Sequence, residues 1–131
     1  VFTKHPHIQT KKKPKFLNVG LEVECNHTPE NLIKIFNKIE KILQRTRGEK
    51  NKPRTCDIDL IDYKGKILAS KELTIPHPKA HLRNFVLFPI KETSPKWIHP
   101  ILNKKTNFLI KKLSFKLRNE ITRIKERVTI D

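Results

Sequence analysis

Asp57 and Asp59 are separated by one residue in an alternating stretch, 56–61, that leaves Ile58 and Leu60 on the other face. On a strand such residues project from one face with backbones about 7 Å apart, so their carboxylates can converge on a hard divalent cation such as magnesium. Two acids on the solvent face of a strand are also an ordinary surface feature, and the neighbours decide between the readings. Pro53, Arg54 and Thr55 lie just before the pair, with Arg45 and Arg47 further upstream. Cations suited to a polyphosphate therefore flank oxygen ligands suited to its metal.

His77 stands between Pro76 and Pro78, on a stiff backbone where a neutral imidazole could hydrogen-bond a phosphate oxygen or a leaving group; the ordinary fate of a loop histidine is a polar surface. Arg83 and Phe85 follow, and in isolation read as a surface arginine beside a core phenylalanine. No Ser/His/Asp or Cys/His nucleophile arrangement is present. The chemistry implied is metal-assisted transfer to a bound hydroxyl, without a covalent enzyme intermediate.

The elements that must position these residues follow from spacing. Residues 1–15 are polar and basic with Pro6 and Pro14, which predicts a loop. From Phe16 to Glu24 apolar and other residues alternate strictly, with Leu17, Val19, Leu21 and Val23 on one face, which predicts a strand. Thr28 offers a hydroxyl cap, Pro29 suits the first helical position, and Leu32, Ile35, Phe36, Ile39, Ile42 and Leu43 recur at helical steps, so a helix is expected to about Arg45.

Gly48 and Pro53 make RTRGEKNKPRT an arginine-bearing loop. A Lys64-Gly65 turn predicts a hairpin between residues 56–61 and 66–69. A short helix over 81–88 is expected to end at Pro89. Beyond the loop SPKWIHP, the positions of Ile110, Leu113, Leu117, Ile121, Ile124 and Val128 predict one long amphipathic basic helix over about 103–128. Packing on its own domain is the favoured fate of that stripe, with helix pairing or a membrane surface as alternatives.

The chain has 131 residues, of which 36% are hydrophobic, enough for one domain with a single core. Against 13 acidic residues stand 29 Lys and Arg, a net charge of +16, which attracts nucleic acid, anionic lipid or a polyphosphate. Cys25 and Cys56 are far apart with no ligand spacing, which argues against zinc or a disulfide framework and fits a reducing cytoplasm. No apolar run is long enough to span a bilayer, and no signal-peptide core is visible. Methionine is absent, so Val1 is not expected to be the natural start. There is no Walker A pattern, dinucleotide fingerprint or internal repeat.

The ordered set PRTCDIDLIDYKGKILASKELTIPHPKAHLRNFVLFPIKETSPKWIHP, with FLNVGLEVE and TPENLIKIFNKIEKILQRTRGE upstream, resembles the 6-hydroxymethyl-7,8-dihydropterin pyrophosphokinase family. The likeness covers about Pro6 to Leu113. It implies transfer of pyrophosphate from ATP to the hydroxyl of a hydroxymethyl-dihydropterin, with AMP leaving, in folate biosynthesis. On that resemblance Asp57 and Asp59 hold magnesium, and Arg45 and Arg54 join them as catalytic residues. Glu40, Arg45, Arg47, Arg54, Leu60, Thr74, His77 and Arg83 match positions at the nucleotide. Pro6, Ile8, Phe16, Asn18 and Phe85 match positions at the pterin, Asn18 reading the ring edge and Phe85 stacking on it. The family's loop tryptophan is missing from EKNKPRT, and His5 stands where a threonine is common.

The implied fold is α+β, a ferredoxin-like antiparallel sheet with helices packed on it in three α/β/α layers, here lacking the family's first strand. The family domain is expected over residues 1–113, with 114–131 a basic amphipathic helical extension. The implied cofactors are ATP as co-substrate and Mg2+, and the expected protein is a cytoplasmic monomer acting on small molecules, without a membrane span. The alternative from a different class is a catalytically inactive basic protein that binds nucleic acid or a protein partner. The chain lacks the aromatic stacking motif of a known RNA-binding module, which ranks that alternative second.

Overall fold

The computed structural model describes residues 2–6, 16–46 and 56–124, with side chains described over 16–44 and 56–124. Strand β1, Phe2–Pro6, pairs antiparallel with β2, Phe16–Gly20, in the register Phe2 opposite Gly20 and Pro6 opposite Phe16. Its other edge pairs antiparallel with β3, Asp57–Asp59, placing Phe2 opposite Asp59 and Lys4 opposite Asp57. The sheet order is β2-β1-β3. This corrects the loop expected at the start of the chain: residues 2–6 form the middle strand although their composition is polar. A strand flanked on both sides satisfies its backbone groups through its neighbours, and that pairing outweighs weak intrinsic preference. The strand expected over 16–24 is regular only to Gly20, the residue opposite Phe2 at the end of the β1 ladder.

Helix α1, Pro29–Thr46, starts where its cap predicts: Thr28 Oγ1 accepts from Asn31 N at 3.2 Å and Thr28 O from Leu32 N at 3.0 Å. It lies against β3. Leu32 and Phe36 are buried, whereas Ile39, Ile42 and Leu43 on the later turns are exposed. Of the apolar stripe read from the sequence, the first part forms core and the last part lies open.

Lys64 and Gly65 both take positive φ, 51° and 72°, as a tight primed turn requires. Lys66 N donates to Tyr63 O at 2.9 Å and Gly65 N to Asp62 Oδ1 at 3.1 Å. The turn is as expected, but its returning strand is not paired as expected. β4, Leu68–Ala69, pairs with β5, Thr74–Ile75, in a separate two-stranded sheet. The cause is a second turn: Ser70 N donates to Leu73 O, and the Ser70 hydroxyl both donates to Leu73 O and accepts from Leu73 N, which folds β4 back onto the following residues.

A 3-10 turn at Ala80–Leu82 leads into α2, Asn84–Thr93. Pro89 lies inside α2 rather than ending it. A proline there removes one helical bond and costs about 3 kcal/mol, which burial on the same helix offsets. Val86 and Leu87 are fully buried, Ile90 packs against Ile61, Ala80 and Val86, and Ser94 N closes the last turn on Ile90 O at 2.7 Å.

The one long helix expected near the C-terminus is two short helices, α3 at Thr106–Lys111 and α4 at Phe115–Asn119, and residues 120–124 are not helical. Ser114 interrupts the run. It takes an extended backbone and its hydroxyl accepts from Leu117 N at 3.2 Å, capping a new helix. The apolar spacing is still used, because Leu109, Ile110 and Leu113 pack on Leu87, and Leu117 packs against the same cluster.

The whole is an α+β arrangement, a small antiparallel sheet with helices packed on it. Among the described residues, no helix is long and apolar enough to cross a membrane.

Candidate active site

On β3 the side chains alternate as a strand dictates. Ile58 packs into the cluster of Leu32, Phe36, Leu60 and Ile75, while Asp57 and Asp59 on either side of it are half-buried on the other face. The strand is gripped from α1: Ile58 N donates to Glu40 Oε1 at 2.8 Å. Glu40, expected beside a nucleotide, thus fixes the backbone unit between the two aspartates. Leu60 is buried in the same cluster, and Thr74 is exposed on β5 next to buried Ile75.

His77 follows β5. Its backbone N–H donates to Ile61 O at 2.9 Å, and its Nδ1 accepts from Lys79 N at 3.1 Å. Burial pushes its pKa below the ordinary value, Arg83 and Lys79 push the same way, and Asp59 opposes them. A neutral ring with Nδ1 accepting carries its proton on Nε2, so the imidazole presents a donor. The Arg83 guanidinium lies 5.4 Å from the centre of the Phe85 ring, within cation–π reach. Arg83 and Phe85 are in this way brought together, and the charges of Asp59 and Arg83 both act on His77.

Asn18 lies on β2, which rests against α2. Its Oδ1 is buried and has no hydrogen-bond partner among the described residues. Such an acceptor costs about 1–3 kcal/mol when left unmade, which suits a site completed by a ligand's N–H. Phe16, at the start of β2, is 49% exposed and offers a ring face at the same strand. Pro6 closes β1 opposite Phe16. Arg45 lies on the last turn of α1, its side chain outside the described ones, and Ile8, Arg47 and Arg54 lie outside the described residues.

Among the described residues, no group of three or more His, Cys, Asp or Glu gathers as a metal site. Two carboxylates suit magnesium nonetheless, because that ion is usually held by one or two carboxylates with phosphate oxygens and water completing the octahedron. The donor set therefore fits a metal that arrives with a polyphosphate. A cavity of about 1060 Å³ lies elsewhere, between residues 20–26 and 58–64, with Leu32, Phe36, Ile90 and Trp97 in its walls. Among the described residues, Leu60 is the one expected site residue that lines it, so this cavity and the polar site residues are separate features.

Sequence reasoning assigned no role to three buried or bridging groups. Trp97 Nε1 donates to Asp62 Oδ2 at 2.7 Å, tying the Lys64-Gly65 turn to the segment after α2. His99 is 3% exposed, and its Nδ1 accepts from the backbone N–H groups of Ile101 and Leu102 at 3.2 and 3.1 Å. Burial and the nearby His81 hold its pKa low, with Asp62 opposing. Asn84, between Arg83 and Phe85, is 4% exposed and binds the C-terminal segment. The one sequence signal for these was the aromatic and imidazole grouping in KWIHP.

Comparison with known proteins gives the family of the chain. The family described as 7,8-dihydro-6-hydroxymethylpterin-pyrophosphokinase (HPPK) matches residues 1–95. A 2-amino-4-hydroxy-6-hydroxymethyldihydropteridine pyrophosphokinase of Synechocystis sp. is 39% identical over 88 residues, covering 67% of this chain and 45% of the relative. One of Aquifex aeolicus is 37% identical over 89 residues, 68% of this chain and 56% of the relative. A folic acid synthesis protein of Dictyostelium discoideum is 37% identical over 97 residues, 74% of this chain and 15% of that much longer protein. The aligned part thus spans about half the length of the two bacterial relatives. With the match running through β1, the acidic strand, His77 and the Arg83–Phe85 pair, the chain belongs to the 7,8-dihydro-6-hydroxymethylpterin-pyrophosphokinase family.

Proposed function

We propose that this chain carries the acidic, histidine and arginine side of an ATP- and magnesium-dependent pterin pyrophosphokinase, moving pyrophosphate from ATP to 6-hydroxymethyl-7,8-dihydropterin. The observation that carries the reading is the acidic strand β3, with half-buried Asp57 and Asp59 on either side of core-packed Ile58, in one sheet with the strand of Asn18, whose buried Oδ1 has no partner among the described residues. The names of the bacterial relatives supply the reaction and the acceptor.

In this reading Asp57 and Asp59 hold magnesium at the ATP phosphates, where the bound metal would neutralise charge. Arg83 and the Nε2 proton of His77 face phosphate oxygens, and Arg45 near the end of α1 adds a cation, as do Arg47 and Arg54, which follow it in sequence. Glu40, Leu60 and Thr74 complete the nucleotide side. Phe85 stacks on the pterin, Asn18 accepts from a ring N–H, and Phe16, Pro6 and Ile8 border the ring. The pterin hydroxyl attacks the β-phosphorus as its bond to the α,β-bridging oxygen breaks; AMP leaves, and the hydroxyl proton passes to solvent or phosphate. Residues 1–113 make up the family domain, 114–131 are an addition to it, and the protein works as a cytoplasmic monomer on small molecules.

The test is a titration of the full chain with a non-hydrolysable ATP analogue, with and without magnesium, followed by hydroxymethyl-dihydropterin. Magnesium-dependent nucleotide binding that then permits pterin binding is expected, and Asp57→Ala and Asp59→Ala should remove the magnesium dependence while keeping the melting temperature. Nucleotide affinity indifferent to magnesium in the parent chain, or to both substitutions, would sink the assigned roles.

A further inference from the structure

The residue between Arg83 and Phe85 is tied to a part of the chain beyond the stretch that matches the family. Asn84 Oδ1 accepts from Phe85 N at 2.7 Å, so one end of its carboxamide serves the first turn of α2. Its other end reaches out, Nδ2 donating to Leu117 O at 2.8 Å and to Glu120 Oε2 at 3.1 Å. Both partners lie past residue 95, where the family match ends.

The same segment is held along α2. Leu117 packs against the cluster of Leu87, Leu109, Ile110 and Leu113, and Arg123 Nε lies 2.9 Å from Glu92 Oε1. The Arg123–Glu92 pair is exposed on both sides and contributes little by itself. The Asn84 bonds differ, because a 4% exposed carboxamide deprived of its acceptors has no water to turn to.

We infer that Asn84 is a positioning residue, through which the segment 114–120 sets the backbone of the Arg83-Asn84-Phe85 corner and so the aim of the guanidinium and the ring. Its three hydrogen bonds leave that corner little rotational freedom, and the two side chains that use the corner project from the residues on either side. The segment after α3 thus acts on the site through one amide, without touching a substrate. The inference rests on the proposed roles of Arg83 and Phe85 only for its catalytic meaning; the ordering of the corner stands apart from it.

The experiment uses the full chain and three variants, Asn84→Ala, Glu120→Ala and Glu120→Gln. In the free protein, nuclear Overhauser effects between the Arg83 side chain and the Phe85 ring report the corner. Emission of Trp97, the single tryptophan, which packs on the α2–α3 cluster, reports the core. Asn84→Ala should lose the Arg83–Phe85 effects and weaken binding of the ATP analogue about five- to tenfold well below its melting temperature, with Trp97 emission unchanged. Glu120→Ala should weaken the effects in part, and Glu120→Gln, which keeps an acceptor, should restore them.

Retention of the Arg83–Phe85 effects in a folded Asn84→Ala protein would overturn the inference, as would lowered melting with unchanged analogue affinity. If Asn84→Ala does not fold, Glu120→Ala decides in the same way. A parent chain that binds no nucleotide would defeat the enzymatic reading, while the Overhauser comparison still decides whether Asn84 sets the corner.

Discussion

Asp57 and Asp59 sit on a three-residue strand whose order comes from ladder pairs with β1 and one side-chain bond from Glu40. His77, Arg83 and Phe85 sit on short elements around Ala80, Val86 and Leu87, all essentially inaccessible to solvent. On the first side the nearby helix leaves Ile39, Ile42 and Leu43 open; on the second, apolar residues from α2 and α3 interdigitate. The two sides of one candidate site thus differ in balance: around the acids, backbone pairing adds to one packed face of the strand, through Ile58 and Leu60, whereas close packing dominates around the histidine and arginine. Packing loss is costly and local, whereas loss of a pairing contact releases a strand without emptying a core.

The largest effect that would expose this contrast is Leu87→Ala. Leu87 is 0% exposed, and its truncation should destabilise by about 2–5 kcal/mol, read as a fall in denaturant midpoint with unchanged slope. A cost below 1 kcal/mol would mean that the helical side is not the better packed. Next comes Glu40→Ala, which strips a part-buried N–H of its acceptor and should cost about 1–3 kcal/mol. Hydrogen exchange should show Ile58 N–H becoming faster, while Leu87 N–H stays slow; equal acceleration of both would erase the distinction between the sides.

The acid response gives a smaller and directional effect. His77 and His99 both have pKa values lowered by burial. A histidine whose folded pKa is depressed contributes stability that is fully present above its unfolded value, near 6.5, and is lost as pH falls through the folded value. Melting temperature should therefore drop as pH is lowered from 7.5 into the range below 6.5. Protonation of His99 Nδ1 would also break its two bonds from Ile101 and Leu102, so amide exchange at those residues should rise with the drop. Constant stability across that range would contradict the buried, neutral state of both rings. The smallest effect is expected at Ile42→Ser: with 50% of Ile42 exposed, stability should change by no more than about 0.5 kcal/mol.

What could be read ahead of the structure depended on how local the cause was. Helix α1 was legible because its cap, first proline and stripe are adjacent in sequence. β1 was not, since Phe2–Pro6 becomes a strand only through partners at residues 16–20 and 57–59. The Ser114 break was missed for a different reason. The apolar spacing across it is continuous, and the serine's capping competes with a helix that spacing alone would allow. Pro89 misled in the opposite direction, because burial of Val86 and Leu87 carries the helix through it.

In the site, Asp57, Asp59, His77, Arg83 and Phe85 stood out because acids at strand spacing, a histidine between prolines and the family likeness are all visible in the string. The bracing by Asn84 and the His99 bonds were not, because an asparagine or histidine shows its partners only when distant backbone is brought to it.

At Gly20, α2 comes within backbone range of β2. A Cβ built there would stand 3.0 Å from Thr93 Oγ1 and 3.1 Å from Pro89 O, and the Thr93 hydroxyl already donates to Gly20 O at 3.0 Å. The absent methyl works like a clearance fit between two machine parts: it lets the helix bearing Phe85 and the strand bearing Asn18 be clamped to one another with no spacer. The distance between those two side chains is thereby tied to a residue that neither of them touches in sequence. A pocket for a flat ring would then be gauged by its frame as much as by its lining.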